Sequence, residues 1–292
     1  MHERKVEALP APFSGRGREY DDMRCEYLLY CLLFLLVGCE SPVITDDEAD
    51  MDGNLRVIVP PLAYQEYTRL NYAVYTMDGA RVGQKNQEKT GAGFGATSFQ
   101  LEDGDYQLVV VAHSSDGNPA MTNLAKVQFT NAQGFTDTFL GSENVTIGEE
   151  PVEVNMKLDR IAALCRFVIT DDYPADAAKI RFYYTGGSGA FNAKTRLGSV
   201  KSRQEHTYDL TPELKQFDLY TFLHDVEGTI RLTVTVYDHN GNVMNERTFE
   251  DIKMQQGHTN TFSCDFFTGG VASSAISVSI NTAWDSEDRR TF

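Results

Sequence analysis

Few side chains in this sequence are spaced for catalysis. Its six histidines include no H-x-H and no H-E-x-x-H pair, so no short segment offers the two or three imidazoles a metal site needs. Gly91-Ala92-Gly93-Phe94-Gly95-Ala96 meets a relaxed dinucleotide-type glycine pattern, but the preceding QKNQEKT is no buried strand and no helix follows, which leaves a flexible loop. Gly186-Gly187-Ser188-Gly189 lacks the following lysine of a phosphate cradle and reads as a wide turn. No G-x-S-x-G turn raises a serine nucleophile, and no acidic pair stands out among so many carboxylates. The expectation is a protein that is not an enzyme and uses no cofactor and no metal. Cys39 differs, because its neighbours point its thiol toward one kind of chemistry. It follows Gly38 at the end of an apolar run, LLYCLLFLLVGC.

The apolar stretch from Tyr27 to Gly38 is too short to span a bilayer, which takes about 20 apolar residues, and has the length of a secretory signal core, roughly 7 to 15. Leu36-Val37-Gly38-Cys39 resembles the lipobox of bacterial lipoproteins. The resemblance implies cleavage between Gly38 and Cys39, with the thiol carrying a diacylglycerol. Acyl chains would then hold the protein on the membrane, each buried CH₂ contributing about 0.8 kcal/mol. Arg24 is the one base close to the apolar core and Glu26 opposes it, so Met23 is a second candidate for the true start of a leader covering residues 1–38.

The formal charge of −16 repels phosphate backbones and anionic lipid surfaces, which excludes nucleic acid as a partner. A cut before Cys39 leaves 254 of the 292 residues and a formal charge of −15, since five of 26 basic and six of 42 acidic residues go with the leader. That length is enough for two ordinary cores. Cys165 and Cys264 would remain in an oxidising compartment, where they could form one disulfide or stay as buried thiols, since a pair this sparse fixes no geometry.

Residues 39–53 are acidic and nearly free of large apolar side chains, as a solvated tether would be. Beyond Asn54 short strand patterns follow one another: LRVIV, YAVYT, YQLVVVA, KVQFT and VEVNMKL, then CRFVIT, IRFYYT, FDLYTFLH, IRLTVTVY and TNTFSCDFF. Asp78-Gly79, Asp103-Gly104, Asp116-Gly117 and Asn240-Gly241 supply turns. The two series look like copies. Leu55 to Val59 lines up with Cys165 to Ile169 and Leu70 with Ile180, and after a one-residue shift Tyr106, Leu108 and His113 fall on Phe217, Leu219 and His224. After Gly269-Gly270, Ile276, Val278 and Ile280 alternate with Ser277, Ser279 and Asn281, a pattern that fits the last strand of the second half or a segment able to pair with another molecule.

Together Cys39, the acidic tether, Gly104-Asp105-Tyr106-Gln107-Leu108-Val109-Val110-Val111-Ala112, Leu158-Asp159-Arg160-Ile161-Ala162-Ala163 and a last strand ending in Trp284 resemble the fimbrillin and fimbrial-anchor lipoproteins of Bacteroidales. The resemblance implies an all-β chain of two tandem transthyretin-like β-sandwich domains, here over residues 54–159 and 160–268, with a C-terminal strand and tail over 269–292. It implies an outer-membrane, cell-surface lipoprotein whose partners are other fimbrial subunits, joined by lending a β-strand. Polymerising members are trimmed after an arginine near the first strand, for which Arg56 and Arg69 are the candidates. The second reading is a surface lipoprotein that binds a host or other glycan through Tyr183, Tyr184, Tyr220 and Trp284.

Overall fold

Alternating burial shows why each strand forms where it does. In the first strand, Leu55 and Val57 are fully buried while Arg56 and Ile58 are half-exposed, the period of two that a sheet with one core face requires. The computed structural model describes residues 51–61, 67–269 and 277–281, the last five by their backbone. Gly38, Cys39, Ile276 and Trp284 lie outside the described residues. Every regular element among the described residues is a strand.

The N-terminal half contains β1 (Leu55–Ile58), β2 (Arg69–Thr76), β3 (Arg81–Glu88), β4 (Ala96–Phe99), β5 (Gly104–His113), β6 (Val127–Gln128), β7 (Phe139–Ile147), β8 (Val152–Asn155) and β9 (Asp159–Arg160). One sheet has the order β4-β1-β8 and the other β3-β2-β5-β7-β9. Leu55 and Val57 from the first sheet meet Leu70, Tyr72, Val74, Leu108 and Val110 from the second in a single core, so the half is a β-sandwich.

The C-terminal half contains β10 (Ala163–Ile169), β11 (Ala177–Thr185), β12 (Ala190–Phe191), β13 (Gln204–Asp209), β14 (Gln216–Thr221), β15 (Glu227–Asp238), β16 (Val243–Gln255), β17 (Thr259–Cys264) and β18 (Ser277–Asn281). Its sheets have the orders β14-β10-β17-β18 and β13-β11-β15-β16. They close over a core centred on Phe167, which stacks on Phe262 at 5.6 Å and meets Phe182 and Phe249 edge-on.

The halves repeat one topology. In each, the first strand pairs antiparallel on one side and parallel on the other: β1 with β4 and β8, β10 with β14 and β17. In each, the second strand of the opposite sheet pairs with two antiparallel neighbours, the later of which receives one more: β3-β2-β5-β7 against β13-β11-β15-β16. The alignment of Leu55 to Val59 with Cys165 to Ile169, and of Leu70 with Ile180, therefore joins equivalent strands. The alignment of Tyr106 to His113 with Phe217 to His224 does not, because β5 corresponds to β15 and β14 to the short β4. The longer segment carrying β12 between β11 and β13 shifts the second copy and ends the constant offset.

The sandwiches also share structure. β6 pairs with β12 across the junction, Val127 opposite Phe191. A third apolar cluster joins Tyr75, Val109, Leu124 and Phe129 of the N-terminal half to Phe191, Ala193 and Phe222 of the C-terminal half. Asp159 accepts an ion pair from Arg196, whose backbone carbonyl accepts the Gln256 amide at 2.9 Å. The described residues accordingly form one compact unit.

Candidate functional site

The features that set this fold apart are at its sheet edges. β17 pairs on one side with β10 and on the other with β18, antiparallel, with Val278 opposite Phe262 and Ile280 opposite Asn260. In the N-terminal sandwich the same place belongs to β8, which pairs with β1 in parallel, Val154 opposite Val57. Nothing among the described residues pairs with the outer edge of β8. Val152 N–H donates to Asn54 O and Met156 N–H to Ile58 O, so the even-numbered residues bond inward to β1. Glu153 and Asn155 turn their backbone groups outward. Three-strand and four-strand versions of one sheet thus differ by a single edge strand, which in the second copy comes from the chain's C-terminal segment.

The arginines proposed for trimming are fixed in the fold. Arg56 sits on β1, between Ser98 of β4 and Glu153 of β8 in register, and its buried Nε has no hydrogen-bond partner. Arg69 opens β2 and pairs with Glu88 of β3 at 2.7 Å, with 22% of its side chain exposed. Neither is on a loop, and removal of the chain through Arg56 would cut the strand at the centre of its sheet.

Cys165 and Cys264 are both free and buried. Cys165 stands opposite Asn260 on the paired strands, so Cys264 is four residues, about 13 Å, further along. A disulfide needs Cα atoms within about 7 Å, which rules out the bridge in this fold. Burial pushes the Cys165 thiol up to about 12 and the Cys264 thiol to about 11, so both are protonated and inert.

The three described tyrosines of the aromatic platform do not share one face. Tyr184 points into the core with no exposure, its hydroxyl donating to Tyr220 O at 2.8 Å, whereas Tyr183 faces the other side of β11. Tyr220 packs half-buried against the junction cluster. The buried polar hub is His113, which the sequence marked only as a strand end within the repeat. It ends β5 with no exposure, its Nε2 within 2.7 Å of Asn71 Oδ1 and its Nδ1 accepting the Ser115 N–H at 3.0 Å. Asn71 in turn donates to Asn86 and Asn118, each at 2.8 Å. Burial, then the charge of Arg69, lowers His113 to about 4, so the ring is neutral and structural. His224, its supposed counterpart, lies exposed beyond β14.

A family model described as a family of unknown function (DUF6562) matches residues 49–291. No curated protein matches the chain. Among solved structures, a candidate adhesin from Bacteroides ovatus is 16% identical, with 67% of this chain and 81% of that chain covered at a TM-score of 0.46. A candidate polysaccharide-binding protein from Bacteroides thetaiotaomicron is 13% identical, with 78% and 96% covered at 0.46. The fimbrial anchor protein Mfa2 from Porphyromonas gingivalis is 11% identical, with 78% and 96% covered at 0.41.

Proposed function

Because the chain belongs to the DUF6562 family of unknown function, we propose its role from its own residues: a structural cell-surface lipoprotein, anchor or accessory subunit of a fimbrium, that joins its neighbours by β-strand addition. The observation that carries this reading is the pair of matched sheet edges. The duplicated topology gives β8 the same surroundings as β17, and β17 takes an antiparallel strand where β8 takes none among the described residues. A strand from another subunit, shaped like β18, would complete the N-terminal sheet. Main-chain hydrogen bonds would supply affinity, and alternate side chains would set register.

The sequence around Cys39 supplies the attachment. A diacylglyceryl thioether at Cys39, followed by the acidic tether 39–53, would place the first sandwich near the outer membrane. The position of Arg56 inside a central strand supports retention of the N-terminus, because trimming there would sacrifice Leu55 and half of β1. The two cores, one ending at Leu158 and the other starting at Ala163, support tandem domains divided near residues 159–160.

Mass spectrometry of the mature protein tests the anchor reading. A lipid-modified Cys39 at the N-terminus is the expected result, and a chain beginning at Val57 or Leu70 would overturn it. Cys39→Ala should release the protein from membrane fractions; unchanged retention would refute the lipid assignment.

A further inference from the structure

A cleft of about 700 Å³ opens in the C-terminal sandwich between the Gly186-Gly187 turn, the segment from Lys201 to Arg203, and His224. It is lined by Lys201, Arg203 and His224 and by no Asp or Glu, in a chain with 42 acidic residues against 26 basic ones. Lys201 and Arg203 are exposed on the extended run that leads into β13, two residues apart and so on one side of it. Ser202 between them turns inward, its Oγ accepting the Gly189 N–H at 2.8 Å. No ion pair to a described residue engages either base. His224 Nδ1 donates to Gly198 O at 2.9 Å, which fixes the ring and leaves Nε2 without a protein partner.

The turn adds a second, independent observation. A Cβ on Gly187 would fall 1.9 Å from Thr221 Oγ1, and one on Gly186 2.4 Å from Thr229 O, so both positions must be bare backbone. Gly187 is buried, yet its N–H meets no acceptor among the described residues. Buried backbone donors are nearly always paired, so the Gly187 N–H is a donor open to an acceptor that enters beside Lys201 and Arg203.

We propose that this cleft binds the carboxylate or sulfate of an acidic saccharide. Arg203 would take the anion through its planar fork, Lys201 would add a point charge, and the Gly187 N–H would donate to a third oxygen. The Thr185 hydroxyl lines the same cleft and would meet a ring hydroxyl. The lining holds no Phe, Tyr or Trp, so a neutral sugar finds no stacking face and the charge must provide the affinity. A long polyanion such as nucleic acid is repelled by the protein's overall field, whereas one charged sugar feels mainly the local bases. The inference is independent of strand addition, and either can fail without the other.

Calorimetric titration of the full chain in detergent micelles tests it with four probes: trigalacturonate, a sulfated disaccharide, a neutral galactose trimer and inorganic sulfate. Either acidic saccharide should bind, and the neutral trimer should bind at least about tenfold more weakly, the value of one charge-assisted hydrogen bond. The double variant Lys201→Gln/Arg203→Gln should lose at least about tenfold with an unchanged melting temperature, while Lys194→Gln, outside the cleft, should bind as the wild type. Equal binding of the neutral trimer, unchanged binding by the double variant, or inorganic sulfate binding as tightly as both saccharides would overturn the assignment.

Discussion

Replacing Glu153 with proline tests strand addition at the point where it must occur. Proline removes a backbone N–H, and at Glu153 the lost donor is one that β1 does not use, because β8 bonds to β1 through Val152, Val154 and Met156. Proline is tolerated on an edge strand when its nitrogen faces outward, so the fold should survive with a stability change within about 1 kcal/mol. An incoming antiparallel strand would bond to the outward groups of Glu153 and Asn155. Loss of one donor leaves the partner's carbonyl unsatisfied, which costs about 1–3 kcal/mol. Capture should therefore weaken by about tenfold to a hundredfold. A fluorescent peptide covering residues 274–283, titrated against the full chain by anisotropy, reads this directly. Val154→Pro is the contrasting variant, since it breaks the β1 pairing and should unfold the edge. If the peptide binds Glu153→Pro as tightly as wild type, the edge of β8 is not the acceptor and the matched-edge reasoning fails.

Other outcomes follow from the cores and the junction. Phe222, 3% exposed, lies 4.9 Å from Phe191 and 6.0 Å from Phe129 of the other half, so Phe222→Ala should cost about 3–5 kcal/mol and lower the melting temperature by about 6–20 °C. Calorimetry should also show the single transition broaden or split as the halves uncouple; an unshifted, sharp transition would discount the junction cluster. His113 has a folded-state pKa of about 4 against about 6.5 unfolded, so its contribution is complete above pH 6.5 and is lost as the pH falls toward 4, at most about 3 kcal/mol. Urea midpoints for His113→Gln should vary less between pH 7 and 4.5 than those of the wild type. Cys165 and Cys264 should resist a thiol reagent in the native protein and react together after denaturation, with no disulfide to reduce first.

How far the sequence foretold the fold depended on where each strand lies. β1, β2, β5, β10, β11, β15 and β17 are apolar on at least one face, and LRVIV, YQLVVVA or IRLTVTVY announce them directly. β3, RVGQKNQE, and β16, VMNERTFEDIKMQ, are edge strands, most of whose exposed positions carry charge or amide groups, and neither shows a sustained apolar face. Charge on an edge discourages unwanted pairing, so the property that protects such strands also hides them. Asn240-Gly241 was visible as a turn, and the strand it leads into is β16, which pairs with β15. The repeat was legible where both copies keep their spacing and lost where the β12 segment intervenes. The open edge at β8 was beyond any sequence pattern, because it is defined by a strand present in one copy and unmatched in the other.

The junction bears on what such a subunit can do. Two sandwiches joined by a linker alone would swing, and a pull at one end would align them before it reached any sheet edge. Here β6 and β12 pair across the boundary, and Phe129, Phe191 and Phe222 interlock beside them. Arg160 in β9 adds a buried ion pair with Asp137 at 2.9 Å and lies 4.7 Å over the Phe139 ring, which holds the connecting chain against the first sandwich. Removing Asp137 would leave that largely desolvated guanidinium short of a main counter-charge, at a cost of several kcal/mol by general precedent. A load applied near residue 51 is thus carried through packed side chains and paired strands to β17, where the last strand is attached edge to edge. Stiffness between the two ends is what the proposed structural role would need, and the shared third cluster is the part of the fold that supplies it.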